Sequence, residues 1–278
     1  MAKDLITVAL PMHNNKETIA LTIKSIINQT YCNWELIIIN DASSDGSEEI
    51  IEGFHDKRIT LINYEKKRGV ANSLNEIIDR AKGDYFARID GDDYCYSNRF
   101  EKQLKFMKEH PSVDLIGCNL AIIDNQGNLL GKRIFNNIAN NSLSNIYIPH
   151  PSFFGKISFF KKHRYKSPPY SAQDQDLLFR AYERSNYAIL DEILVCYRET
   201  LNIKKIAKTR IDLIRSRFQA KKSYSQFLRL AINQLAKLTI DALAISTGLN
   251  YKILKHRCTS LTKKERADWL KLKRELNI

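Results

Sequence analysis

A chain of 278 residues with 44 Lys and Arg against 31 Asp and Glu carries a formal charge of +13, and its length suits one large domain or a domain with an appendage. Five scattered cysteines (Cys32, Cys95, Cys118, Cys196 and Cys258), never spaced C-x-x-C, argue against a disulfide framework or a zinc site and favour a reducing cytosol. No signal peptide is expected, since Lys3 and Asp4 precede only a strand-length apolar run, and no apolar stretch approaches the ~20 residues of a membrane-spanning helix. In chain order, Leu5 to Leu10 reads as a strand closed by Pro11. Residues 16 to 29 repeat apolar side chains at Ile19, Ile23, Ile26 and Ile27, a helical spacing with Asn14 or Asn15 placed to cap it. Trp34 to Ile39 reads as a buried strand, and Ser47 to Ile51 as a short helix with a Ser cap. Ile59 to Ile62 is a third strand, Ala71 to Ala81 a second long helix and Tyr85 to Ile89 a fourth strand. Leu120 to Leu130 reads as a hairpin around Gly127.

Strands alternating with helices predict an α/β fold, a parallel sheet with helices on both faces. Such sheets bind ligands at the carboxyl ends of their strands, where Asp41 and Asp90 fall. The fourth strand runs into Asp90-Gly91-Asp92-Asp93. Three carboxylates in four residues repel one another, and a hard divalent cation is the usual remedy. An isolated string of this kind is more often a solvated turn; its position at the strand end favours a cation and a phosphate ligand.

Charge divides the chain. Residues 201 to 278 hold 19 Lys and Arg against 5 Asp and Glu, and the first 200 hold the remaining 25 against 26. A boundary is expected near Glu199, giving a domain of residues 1–199 and a basic helical extension of residues 200–278. Within it, Ile206, Ile211, Ile214, Phe218, Phe227, Leu228, Ala231 and Leu235 alternate with Lys and Arg as in amphipathic helices. These helices either pack on the first domain or lie on an anionic membrane surface. Packing is expected for residues 203 to 235, and membrane contact for Leu238 to Leu254 and the basic end beyond.

Six motifs occur in order: Val8 to Asn14 with its Pro-x-x-Asn turn, Ile39 to Ser47, Arg68 to Asn75, Ala87 to Asp93, His150-Pro151-Ser152 and Ala172 to Leu177. Together they resemble the family 2 glycosyltransferases over roughly the first 200 residues. The resemblance implies a GT-A fold with a mixed sheet, and transfer of a sugar from a nucleotide-sugar donor to a hydroxyl of a glycan or lipid-linked acceptor. It implies a donor site at Pro11, Asn14, Asp41, Asn75, Asp90 and Gly91, with Asp41 accepting from the base. It also implies Mn²⁺ or Mg²⁺ on Asp90 and Asp92, and Asp174 as general base, with Asp176 as the fallback. Arg68 and Arg88 could offset diphosphate charge, and alternation puts Arg88 on the strand face of Asp90. His150 is placed on the acceptor side, its bland alternative being a structural histidine. Asp93 is either a supporting partner near the acceptor or the cap of the next helix.

Two departures from the family pattern matter. Gln173 stands where a Glu is common, and the Gln-x-x-Arg-Trp motif of processive synthases is absent, which argues against polymerisation. Three rival readings carry less. A nucleotidyltransferase would need a Gly-rich basic loop after the first strand. A nucleic-acid-binding protein would use the basic tail but leave the acidic triad unexplained, so no nucleic acid partner is expected. A non-catalytic nucleotide-binding homologue would not need intact Asp41, Asp90, Asp92 and Asp174.

Overall fold

Strand and helix alternate through the first ninety residues of the computed structural model, which describes residues 4–135, 147–166, 172–200, 202–219 and 224–278. The elements are β1 (Ile6–Met12), α1 (Ile19–Ile27), β2 (Trp34–Asp41), α2 (Ser47–Glu52), β3 (Ile59–Tyr64), α3 (Val70–Arg80) and β4 (Tyr85–Arg88). Each helix is a crossover between parallel strands, and the four strands lie in the order β3-β2-β1-β4. Side chains alternate across the sheet. Val8, Leu10, Leu36 and Ile38 therefore meet Ile19, Ile23 and Ile26 of α1 on one face. Ala9, Ile37 and Ile39 meet Leu74, Ile77 and Ile78 of α3 on the other.

The second half closes the sheet with mixed polarity. It contributes β5 (Tyr94–Cys95), α4 (Arg99–Glu109), β6 (Leu115–Ile123), β7 (Leu129–Arg133), β8 (Phe154–Lys156), α5 (Ile157–Lys162), α6 (Gln173–Ala181) and β9 (Tyr187–Arg198). β8 runs antiparallel to β4 and β6, and β6 lies parallel to β9, in one sheet of 9 strands. β6 and β7 form the expected hairpin, with Gly127 at φ +80 in its turn.

Three local expectations are corrected. β1 does not stop before Pro11 but runs to Met12, with Pro11 in register with Ile39. The last bond to β4 is Ile89 N–H to the Ala9 carbonyl, 3.1 Å. Alternation makes Pro11 the next residue facing β4, and it has no N–H to continue the ladder. The chain after Ile89 is thereby released from β1. The Asn side chains do not cap α1, whose N-cap is Thr18 without a side-chain bond. Asn15 Oδ1 accepts from His13 N–H, and Asn14 Oδ1 from Ser44 N–H. Ser47 does not cap α2 either: Gly46 is the N-cap, and the Ser47 hydroxyl donates to Asp45.

The C-terminal helices are α7 (Ile203–Gln219), α8 (Tyr224–Ser246), α9 (Asn250–His256) and α10 (Lys263–Leu276). Asp241 of α8 is 0 % exposed and joins three of them, pairing with Arg210 of α7 at 2.6 Å and with Arg257 just past α9. Leu254 of α9 enters the core beneath β6 and β7. Trp269, Leu272 and Leu276 of α10 pack on Tyr94, Ala121 and Ile123 of the sheet. The basic end is thus seated on the first domain. A row of exposed apolar side chains lies on α8: Leu228, Ile232, Leu235 and Leu243 follow one another at helical spacing, with Ile240 beside them. The basic end, expected to meet a membrane, is therefore packed, and Leu228 and Ile232, expected to pack, are exposed, while Ile240 and Leu243 are exposed within the stretch expected to face a membrane. The side chains of Phe218 and Phe227 lie outside the described residues.

Candidate active site

The carboxyl ends of β1, β2 and β4 open onto a cleft of about 740 Å³, with Pro11, Asp41, Asp90, Gly91 and Asp92 in its wall. Asp41, the last residue of β2, is almost fully buried, and its two oxygens accept from the backbone N–H groups of Arg68 (2.6 Å) and Gly69 (2.8 Å). Gly69 has φ +88, a backbone state that a side chain would strain. Asp41 therefore fixes the loop before α3 as well as facing the cleft. The Arg68 side chain stacks on Tyr64 and pairs with Glu76 at 2.7 Å.

Gly91 is required by crowding. A Cβ there would lie 2.8 Å from Asn15 Oδ1, an atom already held by His13 N–H. The Gly91 carbonyl accepts from Thr18 and Thr22 hydroxyls, so the turn between Asp90 and Asp92 is seated on α1.

Beneath the turn runs an ionic chain. Arg88 is 2 % exposed; its Nε lies 3.0 Å from Asp90 Oδ1 and its Nη1 pairs with Asp174. His150 Nε2 is 3.1 Å from Asp90 Oδ2, and its Nδ1 is 3.7 Å from Asp174 Oδ2. Burial opposes ionisation of Asp90, but Arg88 and His150 outweigh it and hold its carboxyl well below the usual range. Burial likewise disfavours the Arg88 charge, and Asp174 and Asp90 more than restore it. The chain is braced by Arg99, which is fully buried: Nη2 donates to the Arg88 carbonyl at 2.8 Å and Nε to Gln103 at 2.9 Å. Gln103 in turn donates to the Ser152 carbonyl, 2.9 Å, tying the 3₁₀ turn His150–Ser152 to the end of β4.

Several candidates sit elsewhere than expected. Arg88 is absent from the cleft wall and is committed to two carboxylates, so it does not face a diphosphate. Asn14, Asn75, His150 and Asp174 also lie outside the wall, the last two in the ionic chain with Arg88 and Asp90. Asn14 is held by Ser43 and Ser44, and Asn75 exchanges two bonds with the Tyr165 backbone. Asp93 is 0 % exposed and neither caps α4, whose N-cap is Asn98, nor reaches an acceptor surface. Its Oδ1 accepts from Arg198 N–H at 2.8 Å. Burial first, then the Asp92 and Asp90 charges, push its carboxyl well above the usual range. Asp176 turns away from Asp174 and binds Arg180 at 2.7 Å.

Among the described residues no three His, Cys, Asp or Glu side chains form a ready-made metal cage. Asp90 and Asp92 share the cleft wall, and a Mg²⁺-type ion takes one or two carboxylates and completes its shell with phosphate and water. That donor set fits. The cleft also contains residues that sequence reasoning did not single out: His13, which donates to the Asp41 carbonyl at 2.9 Å, and Lys67, Lys166, Lys204 and Lys208. The lysines belong to charge-rich stretches in which nothing local marks one Lys from the next.

A mixed α/β sheet whose parallel half ends in a cleft holding Asp41, Asp90 and Asp92 is the GT-A arrangement. The chain belongs to the family described as Glycosyl transferase family 2, which it matches over residues 7–185. It is 38% identical over 132 residues to "Putative glycosyltransferase EpsE" of Bacillus subtilis (strain 168), a match covering 46% of this chain and 47% of that one. It is 34% identical over 128 residues to "UDP-Glc:alpha-D-GlcNAc-diphosphoundecaprenol beta-1,3-glucosyltransferase WfgD" of Escherichia coli, covering 46% of this chain and 50% of that one. The chain thus spans about half the length of these relatives. Its fold is similar to that of "Mannosyltransferase PcManGT from Pyrobaculum calidifontis in complex with GDP-Man and Mn2+", with a TM-score of 0.61 over 99% of this chain and 86% of that one. The identity there is 16%, so the likeness is one of fold.

Proposed function

We propose that this enzyme transfers a hexosyl or N-acetylhexosaminyl group from a UDP-sugar to a hydroxyl of a glycan or lipid-linked acceptor in bacterial cell-surface polysaccharide biosynthesis, with inversion at the anomeric carbon. The observation that carries the reading is the meeting, in one cleft, of Asp41, Asp90 and Asp92 from the ends of two parallel strands. The name of the Escherichia coli relative, with its UDP-Glc donor and its sugar on diphosphoundecaprenol, supports the donor and acceptor classes. In this proposal residues 1–199 form the transferase domain and residues 200–278 the extension.

Asp174 takes the proton of the acceptor hydroxyl while that oxygen bonds to the anomeric carbon. The bond from that carbon to the diphosphate oxygen breaks on the opposite face, and the nucleoside diphosphate leaves. Asp90 and Asp92 would hold Mn²⁺ or Mg²⁺, which supplies Lewis-acid stabilisation of negative charge on the diphosphate. Arg88 orients both Asp90 and Asp174, and His150 lies between them, a supporting position close to the acceptor side. The enzyme would work in the cytoplasm, peripheral to the inner face of the membrane. The exposed apolar row of α8, with exposed Lys237 on the same helix and Lys252 and Lys255 on α9, suits an anionic bilayer carrying the acceptor.

Thermal melts with UDP, GDP, CDP and dTDP, each with and without Mn²⁺, test the reading. One nucleotide at about 100 times its Kd should stabilise the fold by about 2.7 kcal/mol, only with metal, and Asp92→Ala should abolish the gain. If none stabilises, or the gain ignores both metal and Asp92, the reading fails.

A further inference from the structure

The cleft is not built by the family domain alone. Lys204 and Lys208 of α7 line it together with Asp41, Asp90 and Asp92, and both lie beyond residues 7–185, where the family match ends. Their spacing of four puts them on one helical face. That face is set by the other side of α7, where Arg210 is bonded to buried Asp241 and to Gln234 of α8. The two lysines are solvent-exposed, and neither has a carboxylate partner among the described residues.

Their charge answers a need created by the cleft floor. Asp90 and Asp92 face the cavity, with Asp93 behind them, and a diphosphate entering there meets like charge. The nearest buried cation, Arg88, is committed to Asp90 and Asp174. Arg198 is likewise committed, to the carbonyls of Asp92, Asp124 and Asn125. Arg68 is paired with Glu76. The cationic charge open to a ligand comes from the lysines that line the cleft, Lys67, Lys166, Lys204 and Lys208, and α7 supplies two of the four.

We propose that Lys204 and Lys208 form a diphosphate clamp, so that the C-terminal extension completes the donor site. The proposal rests on the nucleotide-sugar reading above. A diphosphate could also arrive on a lipid-linked acceptor; the donor is favoured because the same cavity holds Pro11 and Asp41 at the strand ends where the nucleoside binds. A lysine contact to phosphate is a point-charge interaction, indifferent to the base, so the clamp should sense the number of phosphates and not the nucleoside.

The test is equilibrium binding of UDP, GDP, CDP and dTDP with Mn²⁺ to the full-length wild type, to Lys204→Ala/Lys208→Ala and to Lys204→Arg/Lys208→Arg. The best-binding nucleotide is compared with its monophosphate, and geranylgeranyl diphosphate serves as a lipid diphosphate without a base. The Ala pair should lose on the order of tenfold or more in diphosphate affinity, lose much less for the monophosphate, and regain affinity as the Arg pair. Melting without ligand should be unchanged, because both side chains are solvent-exposed, and Lys237→Ala should behave as wild type. Unchanged diphosphate affinity in the Ala pair overturns the clamp while leaving the function intact. Loss confined to the lipid diphosphate overturns the donor assignment. If the wild type binds none of the four nucleotides, the nucleotide-sugar reading itself falls, and the clamp with it.

Discussion

Arg88 shows how a single buried cation organises this site. It holds Asp90, in the turn after β4, and Asp174, on α6, within one ion network. Removing one partner of a buried pair is costlier than the pair is worth, because the remaining charge is left desolvated. Arg88→Met is therefore expected to lower stability by about 3–5 kcal/mol, seen as a lower urea midpoint. Asp174→Asn should separate chemistry from structure. Its amide oxygen can still accept from Arg88, so folding and nucleotide binding should be retained while transfer falls by about 10²- to 10⁴-fold. Equal losses of binding and rate would remove Asp174 from the role of base. The Arg88–Asp90 pair is legible in the sequence, since residues two apart share a strand face. The Arg88–Asp174 pair is not, since the two lie 86 positions apart and only the return of the chain through α6 brings them together.

At the scale of elements, α10 has the clearest local encoding. Thr262 and Glu265 form a reciprocal capping box, and Lys132 from β7 reaches Glu265 at 2.7 Å. Burial opposes the Glu265 charge, but Lys132 and the Thr262 bonds hold its carboxyl below the ordinary 4.5. A depressed folded-state pKa gives stability that is present above about pH 4.5 and lost as pH falls through the folded value. Glu265→Gln should therefore cost about 1 kcal/mol at pH 7, and the gap in melting temperature from wild type should shrink below pH 4. A gap that persists in acid would show that Glu265 acts by packing. Periodicity placed α3 within one residue of Val70–Arg80. The caps of α1 and α2 are not legible locally, because Asn14, Asn15 and Ser47 bind neighbouring loops in preference to their own helices.

For the whole molecule, the tail is half seated and half open. α10 is buried against the sheet, whereas α8 leaves Ile232, Leu235 and Leu243 more than half exposed beside a basic α9. The protein should therefore sediment with phosphatidylglycerol vesicles more than with phosphatidylcholine, each basic residue near the surface contributing ~1 kcal/mol. Ile232→Asp/Leu243→Asp should abolish sedimentation without altering nucleotide affinity; persistence of vesicle binding would discount α8 as the contact. The alternation of apolar strands and amphipathic helices determined the α/β architecture by itself, because side-chain period follows backbone geometry. It also determined the acidic strand end, because the carboxylates are contiguous. Tertiary structure alone decided the antiparallel insertion of β8, the Arg88–Asp174 pair, the seating of α10 and the entry of Lys204 and Lys208 into the cleft. Each of these depends on contacts between segments far apart in the chain, and nothing within one segment of the sequence encodes which distant partner will cover it.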